Sequence, residues 1–172
     1  MADEADDRVA AARQLIDDTR YLTMATADAA GRPWVTPVWF AHQGYAEYLW
    51  VSRPGARHSL NIAVRPQVSF VVFDSTAPVG QGRGVYVEAR AEQVADARID
   101  WALAVFSAGL EADGGTAWRR SAVAGPAPFR LYHARSTAHQ LLDAHDHRVP
   151  VDPSAPTTTA AGPIPGDPAS AG

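Results

Sequence analysis

The sequence contains no cysteine and no lysine, and all 15 basic residues are arginine. The absence of cysteine excludes disulfides, thiol nucleophiles and cysteine-ligated zinc or iron–sulfur sites. Schiff-base chemistry and P-loop nucleotide binding both require a lysine amine, so these classes are excluded as well. There is also no Gly-x-Ser-x-Gly elbow, which argues against a serine hydrolase.

Long apolar segments and basic surfaces are also missing. No run approaches the ~20 apolar residues that span a bilayer, and the acidic first seven residues do not resemble a secretory signal. We therefore expect a cytoplasmic protein with no membrane contact. Residues 1–18 hold six acids and two arginines, which account for the whole net charge of −4. The neutral remainder lacks the basic stripe of a nucleic-acid surface, so we expect no nucleic-acid partner.

The pattern of apolar residues predicts helices and strands within what we expect to be one domain with tails. An N-terminal helix is expected within 1–18. Two further helices are predicted over 56–65 and 96–110, the latter ended by Gly109 and the following glycines. Strands are predicted at 21–26, 34–40, 48–52, 68–73, 84–94 and, as a last β segment, 129–133 with 137–142.

The order of these elements favours a mainly β fold. Short connections predict an antiparallel meander for the first three strands. About six antiparallel strands with two or three helices are typical of a small closed or split barrel with flanking helices, here residues 19–149. Residues 150–172 contain six of the 13 prolines and no aromatic residue. Such a segment buries little apolar area, which predicts a disordered tail.

The segment 51–58 is the first candidate binding site. It joins the end of a strand to the start of a helix, where free backbone N–H groups favour anions. A phosphate would find donors in Ser52, Arg57 and His58. An ordinary polar turn with solvated arginines is the alternative interpretation.

Two further segments could line a binding site. Pro37 interrupts the strand 34–40 and cannot donate to a ladder, so this strand has an edge or a bulge there. Its unpaired backbone groups could contact a planar heterocycle, with Trp39 as an apolar wall; a covered sheet edge is the alternative. The glycine-rich segment 81–84 could bring Arg83 to an anion, although a hairpin connection explains the same pattern.

Histidines are concentrated in the last third of the chain, at His133, His139, His145 and His147. No His-Glu-x-x-His or Glu-x-x-His pattern accompanies them, so we expect no metal site and interpret them as surface residues.

Several motifs, taken in order, resemble the pyridoxamine 5′-phosphate oxidase-like superfamily. These motifs are the segment 32–40, the strand end 49–52, the pair Arg57-His58 with Asn61, and the segment 65–70. This is the FMN-binding split-barrel group, which includes actinobacterial relatives that use the deazaflavin F420. The similarity in element order runs from about residue 15 to 145.

The resemblance implies a six-stranded split barrel that forms a homodimer, with two cofactors at the subunit interface. The segment 36–40 would line the isoalloxazine ring, largely through backbone groups, and Arg57 and His58 would hold the phosphate. The implied cofactor-binding positions are Thr36, Pro37, Val38, Trp39, Phe40, Val51, Ser52, Arg57, His58, Arg83 and Gly84.

Two departures from the family pattern bear on function. The second basic position, usually lysine, is His58, which is only partly charged at neutral pH. The segment 129–142 does not reproduce the Trp- and Arg-containing substrate motif of true pyridoxamine phosphate oxidases, which argues against that substrate.

The sequence therefore predicts a flavin-type oxidoreductase with FMN, or alternatively F420, acting on a small organic substrate. No side chain is marked as a catalytic acid or base. The alternatives are a non-catalytic flavin or haem carrier of the same fold, and a split barrel that has lost its ligand.

Overall fold

The computed structural model describes residues 2–143 and 145–156. Its helices are α1 (Ala2–Asp18), α2 (Arg57–Val64) and α3 (Ile99–Ala112). The described strands are β1 (Tyr21–Ala27), β2 (Pro33–Trp39), β3 (Ala41–Gln43), β4 (Glu47–Ser52), β5 (Gln67–Phe73), β6 (Gly84–Gln93), β7 (Arg130–Leu142) and β8 (Arg148–Val151).

The strands form one antiparallel sheet in the order β2-β1-β5-β6-β7-β4-β3, with β8 added beside β7. β2 and β3 lie at opposite ends of this order, yet only Phe40 separates them along the chain. The sheet must therefore curl until its two ends approach each other at Phe40. The result is a mainly β half-barrel with flanking helices, as predicted, although the described part has eight strands instead of six.

The predicted meander is confirmed for the first two strands, since β1 and β2 pair antiparallel, and it is wrong for the third. β2 pairs only with β1, whereas β4 pairs with β3 and β7. The chain bends at Phe40 and passes from one end of the sheet to the other, so a short connection here does not make a hairpin. The predicted last segments are joined in the single long strand β7, which pairs with β4, β6 and β8.

The predicted start of the tail at residue 150 also needs correction. β8 includes Pro150 and Val151, and Pro150 is opposite Gln140 on β7. Proline is tolerated there because β8 is an edge strand. Pro153 is buried, and its carbonyl accepts a hydrogen bond from Arg13 Nε at 2.8 Å. Residues 157–172 of the predicted tail lie outside the described residues.

Two apolar clusters hold the fold together. The larger one fills the barrel, and α1 contributes Leu15 and Ile16 to it. The second lies between α3 and the sheet, where Phe106 packs with Leu49 and Leu131. α3 therefore covers the region of the molecule where the chain passes from β2 to β3.

Candidate functional site

β2 presents one free edge of backbone, as its proline predicted. Asp28 N donates to Arg32 O at 3.1 Å in the turn that joins β1 and β2. Because hydrogen-bonded pairs alternate along an antiparallel ladder, the next bonded positions of β2 are Trp34 and Thr36. The backbone of Pro37 therefore faces away from β1, where its missing N–H group removes no ladder bond.

The side chains of the segment 36–40 are largely used in packing. Val38 and Phe40 belong to the barrel core. The Trp39 indole donates to Asp113 Oδ2 at 3.0 Å and packs edge-on against Phe106, with ring centroids 5.0 Å apart. A planar ligand at this edge would therefore meet main-chain atoms, since these three side chains are already committed to the fold.

Ser52 and His58 form the centre of the predicted anion site. Ser52 ends β4, His58 is the second residue of α2, and Ser52 Oγ and His58 Nε2 share a hydrogen bond of 2.7 Å. Only 8% of His58 is exposed, and this burial lowers the pKa of its imidazole below the ordinary value. Without a ligand the pair is therefore neutral near pH 7.

Arg57 brings two predicted parts of the site together. Its guanidinium carbon lies 4.5 Å from the centroid of the Trp34 ring on β2. The turn before α2 and the proline-interrupted strand are thus neighbours in the fold. Val51, the remaining predicted residue on β4, is half-buried against the cluster under α3.

Arg83 and Gly84 do not join this arrangement within one protomer. Trp34 pairs with Thr26, near the Gln67 end of β5, whereas Gly84 pairs with Phe73 at the other end. The seven residues of β5 span about 20 Å at the usual rise of a strand. Arg83 lines a different cleft, beside Tyr21 and Phe73.

Arg53 lies in the candidate segment 51–58 but was not among the predicted phosphate donors. Its guanidinium carbon lies 4.7 Å from the centroid of the Phe129 ring. Phe129 packs edge-on against Trp118, and Trp118 against Phe106 of α3. No local pattern could reveal this contact, because the two partners are far apart in the sequence and meet where β4 pairs with β7, next to the pair Ser52 and Arg130.

Two classes of feature are absent from the part of the chain that the structure describes. Among residues 2–143 and 145–156, no helix has the length and apolarity to cross a bilayer. The same residues contain no group of three or more His, Asp or Glu side chains that could hold a metal ion.

A family model described as pyridoxamine 5′-phosphate oxidase matches residues 9–137, which is more than half of the 172 residues. The chain belongs to the pyridoxamine 5′-phosphate oxidase family. No curated protein matches the sequence. The matched residues include those that form the free edge of β2, the Ser52–His58 pair and Arg57.

Solved structures with the same fold include proteins named for haem and a protein named as a reductase. A haem-binding protein from Mycobacterium smegmatis has a TM-score of 0.62 and 18% identity, over 88% of this chain and 57% of that one. A haem storage protein from Vibrio cholerae has a TM-score of 0.56 and 24% identity, over 72% and 86%. An F420 reductase has a TM-score of 0.54 and 23% identity, over 74% and 94%. At these identities the likeness establishes the fold alone.

Proposed function

We propose that the protein is a flavin-type oxidoreductase that binds FMN, or alternatively F420, and transfers hydride or electrons to a small organic substrate. The observation that carries the proposal is the approach of Arg57 and the Ser52–His58 pair to the free edge of β2. Phosphate needs donors and positive charge, and a flavin ring needs backbone partners beside an apolar support.

Each residue of the site has a distinct part in holding such a ligand. Arg57 supplies a permanent positive charge, and Ser52 supplies a hydroxyl donor. His58 exchanges its neutral bond with Ser52 for a bond to the phosphate and takes up a proton as it does so. When bound, the cofactor supplies the redox chemistry, and this chain supplies binding, orientation and exclusion of water.

We further propose that the protein acts as a homodimer. Val35 is 57% exposed and Tyr21 is 58% exposed on the outer side of the sheet. Val35 lines an adjoining cleft of about 360 Å³ together with Val71 and Tyr86. An apolar surface of this kind is typical of a protein interface. Arg83 and Arg57 lie far apart within one protomer. In a dimer, Arg83 of one protomer would contact the cofactor that Arg57 of the other protomer binds.

A non-catalytic haem or flavin carrier is the second candidate function. It is favoured by the names of two solved structures with the same fold, a haem-binding and a haem storage protein. A haem carrier would bind haemin more tightly than FMN or F420, and a flavin carrier would bind the flavin but turn over no reductant. Titration of the full chain with all three compounds, followed by a turnover assay with a reductant, separates the carrier from the oxidoreductase.

The test of the phosphate site is Arg57→Ala. We expect this variant to bind FMN about tenfold more weakly, because it loses a charge-assisted contact with the phosphate. Arg65→Ala is the matched control, since Arg65 lies just past the other end of α2 and donates to the backbone of Ala29. Equal FMN affinity of parent and Arg57→Ala would show that the phosphate is bound elsewhere.

A further inference from the structure

Two arginines of the β4–α2 turn lie on aromatic rings. Arg53 stacks over Phe129 and Arg57 over Trp34, with guanidinium carbons 4.7 and 4.5 Å from the ring centroids. The turn between them is closed by a hydrogen bond from Ala56 N to Arg53 O at 3.0 Å. The Ser52–His58 bond is formed by the residue before Arg53 and the residue after Arg57.

Neither guanidinium is neutralised by the protein. Within 2–143 and 145–156, neither Arg53 nor Arg57 forms a side-chain hydrogen bond or an ion pair, whereas Arg120 binds Asp100 at 2.6 Å. The chain has no acidic residue between Glu47 and Asp74. This part of the molecule therefore carries positive charge that no neighbouring carboxylate in the sequence offsets.

The ring under Arg53 is held in a built position. Arg130 donates to the backbone carbonyls of Gly125, Ala127 and Phe129, which fixes the loop in front of β7. Trp118 packs edge-on against the Phe129 ring, with the two centroids 5.7 Å apart. A guanidinium stacked on a fixed ring keeps its N–H groups free to donate and loses little entropy on binding an anion.

One phosphate ester does not need both arginines. The dianion of a phosphate monoester is balanced by Arg57 together with a protonated His58, and the single charge of a phosphodiester is balanced by Arg57 alone. In both cases the charge of Arg53 is left over. We propose that Arg53 is a specificity-determining residue that binds a second anionic group of the ligand, beyond the phosphate held by Ser52, Arg57 and His58. The site would then prefer F420, which carries carboxylates beyond its phosphodiester, to FMN, which ends at its phosphate. This inference rests on the proposed function.

The test measures the dissociation constants of FMN and F420 for the full-length parent and for Arg53→Ala by equilibrium titration. We expect Arg53→Ala to bind F420 about tenfold more weakly and FMN less than about twofold more weakly. Phe129→Leu removes the ring but keeps the charge, and we expect a smaller loss in the same direction. Thermal unfolding of each variant verifies that it is folded.

Arg98→Ala is the matched control, because Arg98 stacks over Trp101 at 4.3 Å where α3 begins and its removal changes the net charge equally. If Arg98→Ala weakens F420 as much as Arg53→Ala does, the effect is long-range electrostatics and the inference is wrong. The inference is also wrong if Arg53→Ala weakens the binding of FMN and F420 equally, or weakens the binding of neither. If the parent binds neither ligand, the proposed function itself fails, whereas F420 binding that depends on Arg57 but not on Arg53 overturns this inference alone.

Discussion

His58 occupies the position where the family usually has lysine, and its buried ring is hydrogen bonded to Ser52. Burial lowers the pKa of His58 from its ordinary value of 6.5, and it lowers the pKa of His139 in the same way. At a pH below about 6.5, the unfolded chain therefore binds more protons at His58 and His139 than the folded chain does. Each of these groups therefore makes the folded protein less stable as the pH falls below about 6.5.

His58 also makes ligand binding depend on pH in the opposite direction. A neutral imidazole must take up a proton to pair with a phosphate dianion, and this costs more free energy as the pH rises. We expect the ratio of the FMN dissociation constants of parent and His58→Lys to increase between about pH 6 and pH 8, by at most about tenfold per pH unit. The ratio cancels the ionisation of the FMN phosphate, which is the same for both proteins.

His58→Gln serves as a second variant, because a glutamine donates a hydrogen bond without titrating. Its affinity relative to His58→Lys is expected to stay constant over the same pH range. If the ratio of the FMN dissociation constants of parent and His58→Lys does not change with pH, the assigned role of His58 is wrong.

At the scale of elements, α3 depends on a close approach to the sheet at Gly109. The sequence suggested that this glycine ends the helix, and that prediction is wrong, since α3 continues to Ala112. A Cβ atom added at Gly109 would lie 2.8 Å from Ala41 Cβ on β3. Gly109 is therefore required by packing of helix on strand, and the same contact region holds Trp39 against α3.

We expect Gly109→Ala to destabilise the protein by about 1–3 kcal/mol, because the added methyl group forces α3 away from β3. In a free helix the same change is stabilising by about 1 kcal/mol, so the sign of the effect reports the close contact. Denaturant unfolding measures it. Ala108→Gly, at an exposed neighbouring position, is the control and should cost only the helix propensity; a Gly109→Ala variant more stable than the parent would contradict the contact.

At the scale of the whole molecule, the proposed dimer explains the exposed apolar side of the sheet. We expect the parent to be a dimer in light scattering coupled to size-exclusion chromatography. Val35→Glu should shift it towards the monomer and weaken FMN binding, because a buried unpaired carboxylate is costly at an interface. Val64→Glu, at a valine 63% exposed at the end of α2, is the control. A monomeric parent, or a dimer that tolerates Val35→Glu, would contradict the proposed interface.

Much of the fold could be predicted from local patterns. The alternation in β6 and the apolar runs of β1 and β5 identified these strands closely, because each needs only its own side chains to define a buried face. β3 was missed because three residues carry too little pattern. The pairing of β4 with β7 was missed because register between distant segments depends on the closed barrel and not on either segment.

The candidate site, like the fold, was predicted where it is local and missed where it depends on residues far apart in the sequence. Ser52, Arg57 and His58 lie within seven positions of one another, so the turn that brings them together is local and its anion-binding character was visible in the sequence. Arg53 was passed over because Phe129, which fixes its guanidinium, is remote along the chain. The side chain of Trp39 was expected beside a ligand, and the structure places it under α3.

The sequence by itself determined the chemistry available to this protein. It has no thiol and no lysine amine, it places a serine, an arginine and a histidine around one strand-to-helix turn, and it interrupts another strand with a proline. These features are local because each depends on residue type and on a few covalent links. Only the tertiary structure decided which of these groups are free to act. The curl of the sheet at Phe40 commits the side chains of Val38, Trp39 and Phe40 to packing, and the pairing of β4 with β7 brings Phe129 beside Arg53. The length of β5 keeps Arg83 away from Arg57 within one chain.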